Sequence, residues 1–216
     1  MNHQGAAHLA AAAVAVDIPL LHVSTDYVFD GSKEGAYTPE DATNPLGVYG
    51  ASKLAGEQAI VASGCRYLIV RTAWVFSEYG NNFVKTMLRL GAERDELSIV
   101  ADQVGSPTYA GDLADLLIKA AEKMVVGDSV LENKIAHFGG SPACSWYEFA
   151  ESIFDVALES QKILKKPALN KLTSKQYPTL AERPLSSVLD SSELLQFYNI
   201  DSNTWLLGLR RVMQFI

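Results

Sequence analysis

The sequence predicts an α/β protein built on a parallel β-sheet. Short apolar runs rich in strand-forming residues alternate along the chain with longer segments of helical periodicity, which is the pattern of successive β–α units. Hydrophobic residues make up 48% of the 216 residues and charged residues 20%, a balance typical of a globular chain with a sizeable core. No apolar stretch approaches the roughly 18 residues of a membrane span, so no span is predicted.

The first half of the chain predicts three helices and three strands. The alanine-rich run from Ala10 to Ala15 closes the first helix, and Asn44-Pro45 breaks the chain ahead of the second. Gly64 is placed to end that second helix in a left-handed cap. The predicted helices cover residues 1–16, the segment between Pro45 and Gly64, and residues 83–94, and the predicted strands cover residues 20–24, 67–70 and 97–100.

The second half predicts one further strand and four helices. Ser145 and Glu148 have the spacing of a capping box, in which the first and last residues of the opening turn cap each other. Residues 162–184 are polar, contain three prolines and show little periodicity, so we expect a functional or mobile segment there. The predicted strand covers residues 135–138, and the predicted helices cover 112–126, the segment from Ser145 to Leu158, 192–197 and 204–215.

Tyr49 and Lys53 are the residues most indicative of chemistry. On a helix, positions i and i+4 project from one face, one turn apart. A phenol exchanges protons poorly near neutral pH, and a neighbouring ammonium favours its ionised form, so such a pair suits the reduction of a carbonyl or the oxidation of an alcohol. The alternative is a packing tyrosine and an exposed lysine on an ordinary amphipathic helix, and the bare spacing favours that alternative.

The surroundings of this pair favour the catalytic interpretation. Ser24-Thr25-Asp26 stands at the end of the strand predicted at residues 20–24. Open α/β sheets bind their ligands beside the C-terminal ends of their strands. A hydroxyl such as that of Thr25 could therefore hold a substrate oxygen while the phenol of Tyr49 exchanges its proton.

Five ordered segments carry a resemblance to a known family. They are Ser24-Thr25-Asp26-Tyr27-Val28-Phe29-Asp30-Gly31, then Asn44-Pro45-Leu46 with Tyr49-Gly50, Lys53-Leu54 and Gly56-Glu57, then Arg71-Thr72-Ala73-Trp74-Val75-Phe76, Gly80-Asn81-Asn82-Phe83, and Asp102-Gln103-Val104-Gly105-Ser106-Pro107-Thr108. Nearly end to end, the chain resembles the dTDP-4-dehydrorhamnose reductases, a family of extended short-chain dehydrogenase/reductases. The resemblance implies a Rossmann-type parallel sheet, with its catalytic part in residues 1–78 and 106–140, and a smaller mixed α/β substrate lobe in residues 79–105 and 141–216.

The resemblance also implies a reaction. A hydride would pass from NADPH or NADH to the C4 keto group of dTDP-4-dehydro-L-rhamnose, giving dTDP-L-rhamnose. Tyr49 would donate the proton, Lys53 would assist it and bind the nicotinamide ribose, and Thr25 would hydrogen-bond the reacting oxygen. The implied cofactor-binding residues are Ser24, Tyr49, Lys53 and Thr72, and the implied substrate-binding residues are Thr25, Asp26, Trp74, Asn82 and Arg183.

Most of the implied substrate residues have a plain structural alternative. Asp26 could cap a turn, Trp74 could be a core tryptophan, and Asn82 after a glycine suits a turn. Arg183 could be a solvated loop arginine, although a guanidinium suits a diphosphate by its bidentate geometry. We favour function for Asp26 and hold the two interpretations of Trp74 about even.

The glycine-rich segment that cradles the cofactor pyrophosphate in this family does not occur in these 216 residues. We therefore expect the sequence to be the C-terminal part of such an enzyme, to bind NAD(P)H weakly by itself, and to self-associate, with a homodimer possible. Two other functions stay open. One is a non-catalytic subunit related to the regulatory partner of methionine adenosyltransferase, and the other is a different sugar-nucleotide reductase, epimerase or dehydratase of the same superfamily.

Charge and cysteine content narrow the partners and the compartment. The formal net charge of -7 and the pI of about 5.1 argue against a nucleic-acid surface, so an anionic sugar nucleotide would need a local basic cluster. Cys65 and Cys144 have no metal or redox spacing and predict reduced thiols in a cytoplasmic protein. Some family members bind Mg²⁺, but no carboxylate cluster in the sequence indicates a metal site.

Overall fold

The structure is a computed structural model that describes residues 1–127, 131–179, 181–200 and 204–216. Up to His137, single helices alternate with groups of one to three strands in the described residues. The helices are α1 (Gln4–Ala15), α2 (Val48–Ala62), α3 (Phe83–Glu93), α4 (Ala110–Val125), α5 (Trp146–Glu159), α6 (Ser192–Phe197) and α7 (Trp205–Phe215). The strands are β1 (Leu20–Thr25), β2 (Tyr67–Thr72), β3 (Val75–Phe76), β4 (Glu96–Val100), β5 (Val104–Gly105), β6 (Thr108–Tyr109), β7 (Lys134–His137), β8 (Cys144–Ser145) and β9 (Ala168–Leu172).

The largest sheet in the described residues is parallel and has the strand order β1-β2-β7. Its register pairs Ser24 with Arg71 and Thr25 with Thr72, and pairs Arg71 in turn with His137. Because side chains alternate between the faces of a sheet, Ser24, Arg71 and His137 share one face, while Thr25 and Thr72 lie on the other. The predicted α/β architecture with a parallel sheet is confirmed.

Apolar side chains cover both faces of this sheet. On one face, Ile69 packs with Ile60 of α2 and with the small buried residues of α1, among them Ala10. On the other face, Leu68 and Val70 pack with the apolar side of α4. The alanines of α1 thus let this helix lie close to its neighbours, while Leu9 and Val14 of α1 and Val16 just after it remain exposed.

A third core cluster joins α3, α5, α7 and β4. Phe149 and Phe154 of α5 are fully buried at its centre, and Phe76 and Tyr109 of the short pair β3–β6 belong to the same cluster. The capping box predicted at the start of α5 is present, since the Ser145 hydroxyl accepts from the backbone of Glu148, whose carboxylate accepts from the backbone of Ser145.

The sequence did not predict β9, nor the two-residue strands β3, β5, β6 and β8. β9 lies inside the polar segment 162–184 and pairs in parallel with β4, and a 3₁₀ turn at Ser174–Gln176 follows it. β9 has β4 as its sole partner among the described residues, and it is largely exposed with Asn170 and Lys171 in its centre. Such a strand carries little apolar alternation, so its sequence gives no strand signal. In the described part of the chain, no helix is long and apolar enough to cross a membrane.

Candidate active site

Helix α2 places Tyr49 in its first turn and Lys53 one turn later, beside the edge of β1. The Lys53 ammonium donates to the carbonyl oxygen of Val23 at 2.6 Å and lies 3.3 Å from Nε2 of His22. Partial burial lowers the pKa of Lys53, and the carboxylate of Glu57, one further turn along α2, opposes that shift. Lys53 is therefore held against the sheet and is not a free surface lysine.

Gly50 allows the close approach that sets the position of Tyr49. A Cβ at Gly50 would lie 2.0 Å from the carbonyl oxygen of Tyr27 and 3.0 Å from Cβ of Pro45. Only a residue without a side chain fits there, so α2 begins in direct contact with the 3₁₀ turn that follows β1. The Tyr49 ring then meets the Tyr27 ring edge to face, with 6.0 Å between the ring centroids.

The side chain of Tyr49 is 53% exposed and faces an open cleft. The volume of this cleft is about 310 Å³, and its lining includes Tyr27, Leu46 and Val48 on one side and Glu182 and Pro184 on the other. The segment around Pro184 is placed by Gly31, whose position allows no Cβ because one would lie 2.6 Å from Cβ of Pro184. The predicted proton donor thus stands at the wall of a space that a small molecule can enter.

Thr25 ends β1, Asp26 opens the 3₁₀ turn that follows, and both are buried. The Thr25 hydroxyl donates to a carboxylate oxygen of Asp26 at 3.0 Å and accepts from the backbone N–H of Tyr27 at 3.2 Å. Burial raises the pKa of Asp26 to about 6, although hydrogen bonds from Ser187 and Thr25 oppose the shift. The turn-capping group here is Thr25, while Asp26 is a buried acid whose proton occupancy changes near neutral pH.

Ser24 and Thr72, the other predicted cofactor residues, are buried hydroxyls at the C-terminal ends of β1 and β2. Within the described residues, neither hydroxyl has a hydrogen-bond partner. Buried polar atoms are nearly always paired in folded proteins, so these two are candidates for contact with a ligand. They lie on opposite faces of the sheet, and their predicted contacts with the cofactor stay predictions.

Trp74 is neither an ordinary core residue nor an unpacked side chain whose ring is free to stack on a ligand. Its ring stacks on Trp146 of α5, with 3.4 Å between centroids and 7° between planes, and its backbone is left-handed with φ of 48°. Gly105 packs against the ring of Trp74, and a Cβ added at Gly105 would lie 2.4 Å from the nearest atom of that ring. The tryptophan is therefore fixed between two neighbours, and a strained backbone of this kind is common at functional sites.

A larger cavity of about 590 Å³ lies between α3, β4 and the segment that ends near Arg183. Trp146, Gln103 and Arg183 are part of its lining, together with apolar residues such as Phe83 and Leu97. Asn82, by contrast, acts as the N-cap of α3, since its amide accepts from the Lys85 backbone and donates to the carbonyl of Ser77 at 2.7 Å. Its predicted substrate contact stays a prediction.

Sequence reasoning missed a buried ion pair beneath the site. Arg71 donates to both carboxylate oxygens of Glu57, at 2.7 Å for the shortest contact, and both side chains are almost wholly buried. The helical spacing held a signal, because Glu57 follows Lys53 by four residues and so shares its face. The contact of His22 with Lys53 and the stacking of Trp146 were missed as well, since both depend on tertiary placement. No group of three or more metal-ligating side chains occurs in the described ranges.

Comparisons with known proteins show which family and fold this chain shares. A family model described as the RmlD substrate binding domain matches residues 1–216. The dTDP-4-dehydrorhamnose reductase of Aggregatibacter actinomycetemcomitans is 48% identical over 216 residues, which is 100% of this chain and 73% of that protein. The crystal structure of dTDP-4-dehydrorhamnose reductase from Bacillus anthracis in complex with NADP matches with a TM-score of 0.87 and 37% identity, over 100% of this chain and 72% of that one. The orthologue from Clostridium acetobutylicum gives a TM-score of 0.88 at 37% identity, over 99% and 71%.

Proposed function

The chain belongs to the family of RmlD substrate-binding domains, and from that premise we propose that it acts as an NAD(P)H-dependent dTDP-4-dehydrorhamnose reductase. The reaction reduces the C4 keto group of dTDP-4-dehydro-L-rhamnose and yields dTDP-L-rhamnose. The observation that carries this proposal is the pair on α2, with Tyr49 facing the cleft and Lys53 held on the edge of β1. The proposed reaction is the one for which the relatives are named, since they are dTDP-4-dehydrorhamnose reductases.

The residues beside the cleft suit a nicotinamide cofactor. An ammonium has three N–H donors, and Lys53 directs two of them at Val23 and His22, which leaves one for a ribose hydroxyl. The hydroxyls of Ser24 and Thr72 have no hydrogen-bond partner among the described residues, and they are further candidates to bind the cofactor, each from its own face of the sheet. Bound NAD(P)H supplies the hydride, and the protein supplies the proton and the orientation of the keto group.

Tyr49 is the proposed general acid. Its hydroxyl donates a proton to the oxygen that becomes the alcohol, and the positive charge of Lys53 one turn away stabilises the resulting phenolate. Thr25 is proposed to bond the same oxygen. A hydroxyl has a single proton, and that of Thr25 is donated to Asp26 here, so the hydroxyl rotates before it donates to the substrate.

The substrate lobe is proposed to hold the nucleotide part of the substrate in the larger cavity. Arg183 borders this cavity, and its neighbours Glu182 and Pro184 border the cleft at Tyr49, so one short segment reaches both spaces. An arginine pairs with a diphosphate through two parallel hydrogen bonds. Because the chain has a net charge of -7, an anionic diphosphate needs a positive side chain of this kind close to it. Trp74 and Asp26 are proposed to contact the sugar between the two spaces.

The decisive test measures turnover in the chain placed behind a glycine-rich nucleotide-binding segment of a reductase relative, called here the extended enzyme. It should oxidise NADPH only when dTDP-4-dehydro-L-rhamnose is present. Tyr49→Phe should lower kcat by roughly 10²–10⁴-fold with little change in KM, because the ring keeps its shape. Tyr67→Phe, at the N-terminal end of β2 and remote from the cleft, is the matched control and should leave kcat unchanged.

Two outcomes would overturn the proposal. Full turnover by the Tyr49→Phe enzyme would remove Tyr49 as the acid. Tight binding of dTDP-sugars without any turnover by the unaltered extended enzyme would favour a non-catalytic binding subunit. Calorimetry with dTDP on the 216-residue chain measures that binding separately from the reaction.

Further partners and the compartment are part of the proposal. We assign the enzyme to the cytoplasm, where its sugar-nucleotide substrate and reduced cysteines belong, and we expect no nucleic-acid partner because the chain is acidic. A homodimer is also proposed, because Leu9 and Val14 of α1 and the following Val16 are exposed apolar side chains that an interface could cover. Light scattering that gives the monomer mass at high concentration would exclude it.

A further inference from the structure

His22 of β1 is the nearest side chain to the Lys53 ammonium among the contacts that the described residues make. Its Nε2 lies 3.3 Å from Nζ of Lys53, and the carbonyl of the following residue, Val23, accepts from the same Nζ at 2.6 Å. Two acceptors on adjacent residues of one strand thus hold the ammonium. Because β1 is paired with β2 along its whole length, this pair of contacts fixes Lys53 more firmly than a single bond would.

The chemistry of the contact determines the state of the imidazole. An ammonium only donates hydrogen bonds, so Nε2 of His22 must accept, and the ring must be neutral with its proton on Nδ1. The environment favours this state, because burial and the charge of Lys53 lower the pKa of His22 to about 4, with Glu57 opposing. At neutral pH the imidazole is therefore an acceptor that is always available.

Glu57 is the other charged group that acts on His22, and its carboxylate opposes the neutral state of the ring. On α2, Glu57 lies beyond Lys53 on the same helix face, and it is neutralised by Arg71 of β2 through the buried ion pair. α1, which covers the same face of the sheet, contains no Asp, Glu, Lys or Arg. Because Glu57 is paired with Arg71, the hydrogen-bond partners of the Lys53 ammonium are His22 and Val23 of β1.

The geometry points to His22 as a positioning residue of the reductase, which fixes the Lys53 ammonium on β1 so that Lys53 faces Tyr49 and the nicotinamide ribose. The inference rests on the proposed function, and nothing in the resemblance or the comparisons gives this histidine a role. The proposed role of His22 requires no contact with substrate or cofactor. Its effect passes through Lys53, whose donors it orients and whose side-chain freedom it removes.

The contact itself is tested by NMR on the 216-residue chain, independently of turnover. The chain has four histidines, so the imidazole signals are few, and His22→Gln assigns that of His22. We expect Lys53→Met to raise the pKa of His22, because the substitution removes a positive charge beside the ring. Lys119→Met, on the exposed side of α4, is the matched control and should leave that pKa unchanged. If the pKa of His22 is the same in the Lys53→Met variant as in the unaltered chain, the inference is overturned.

The consequence is tested by kinetics in the extended enzyme. His22→Leu removes the acceptor and should lower kcat by roughly tenfold or more, since small displacements of catalytic groups are costly, while KM for the dTDP-sugar stays within about twofold. His22→Gln keeps an acceptor and should restore kcat to within about threefold of the unaltered enzyme. His8→Gln, on the exposed side of α1, controls for loss of a histidine.

The outcomes separate this inference from the proposed function. If the unaltered extended enzyme shows no turnover, the proposed function fails, and the NMR titration still decides whether His22 holds Lys53. If turnover is present and His22→Leu retains full kcat, the positioning role is wrong. Should His22→Leu fail to fold, His22→Gln takes its place, and a kcat for it as low as that of Lys53→Met would overturn the inference.

Discussion

Replacement of Gly50 by alanine is the sharpest test of how the site is built. Gly50 follows Tyr49 directly, and its helix approaches the turn after β1 so closely that a Cβ would lie 2.0 Å from the carbonyl oxygen of Tyr27. Ordinary contacts begin near 3.4 Å. Gly50→Ala must therefore separate α2 from that turn by roughly 1.4 Å, because a backbone carbonyl cannot rotate away as a flexible side chain can.

The displacement should affect both stability and turnover. Overpacking of this kind costs about 1–3 kcal/mol of the free energy of unfolding, which in a chain of this size lowers the Tm by roughly 2–12 °C. A shift of about 1 Å in a catalytic group costs on the order of 10²-fold in rate, so kcat of the extended enzyme should fall about that much. Calorimetry gives the Tm, and NADPH oxidation at saturating substrate gives kcat.

The matched control is Gly5→Ala. Gly5 is also a helical glycine, but a Cβ added there would meet nothing within 4 Å, so alanine should be neutral or raise stability by up to about 1 kcal/mol. The reasoning is refuted if Gly50→Ala keeps its Tm and its kcat within about threefold of the unaltered enzyme. A lower Tm with full kcat would mean that the close approach is structural and does not place Tyr49.

Two further predictions concern the buried polar groups. Arg71→Met should cost about 3–5 kcal/mol because it leaves Glu57 buried without its partner, and adding Glu57→Leu should restore most of that loss in urea unfolding; a single substitution that costs under about 1 kcal/mol would contradict the pairing. The free energy of unfolding should also fall as the pH falls from about 7 to 5. The folded-state pKa values of His22 and His137 are lowered to about 4. The contribution of each neutral histidine to stability is therefore full above the unfolded-state pKa near 6.5, and it is lost as the pH falls through the folded-state pKa. Asp26, raised to about 6, has the opposite sign, since its contribution is full below the unfolded value near 3.8 and is lost as pH rises through about 6. On acidification the two histidines lower the free energy of unfolding, and Asp26 raises it. With the contribution of His22 reduced for its partial exposure, the net loss of unfolding free energy at pH 5 is roughly 1–3 kcal/mol. Equal unfolding free energies at pH 7 and pH 5 would contradict this prediction.

The extent to which the sequence predicted this fold depended on how local each signal was. The capping box of α5 was predictable because Ser145 and Glu148 satisfy each other within one turn. The strand β2 was predictable because it is buried along nearly its whole length. The strand β9 was not, because it is stabilised by pairing with β4, about 70 residues earlier in the chain, and its exposed residues need not be apolar.

The same distinction holds for the site. The spacing of Tyr49 and Lys53 is a helical property and is visible in the sequence, but the acceptors of Lys53 lie on β1, about 30 residues earlier. The stack of Trp74 on Trp146 likewise joins residues 72 positions apart. Periodicity gives the face on which a side chain lies and says nothing about which strand or helix meets that face, so these contacts required the structure.

The contacts of α2 form a series along the helix, and their order explains how one helix serves both chemistry and stability. Gly50 sets the approach at the first turn beside Tyr49, Lys53 bonds β1 one turn later, and Glu57 meets Arg71 in the buried interior one turn beyond. Burial increases in the same direction, from the half-exposed Tyr49 to the enclosed Glu57. Because an ion pair gains strength and becomes costlier to break as water is excluded, the inner end anchors the helix. The outer end leaves Tyr49 half-exposed beside the cleft, where the proposed general acid can exchange its proton with solvent or substrate.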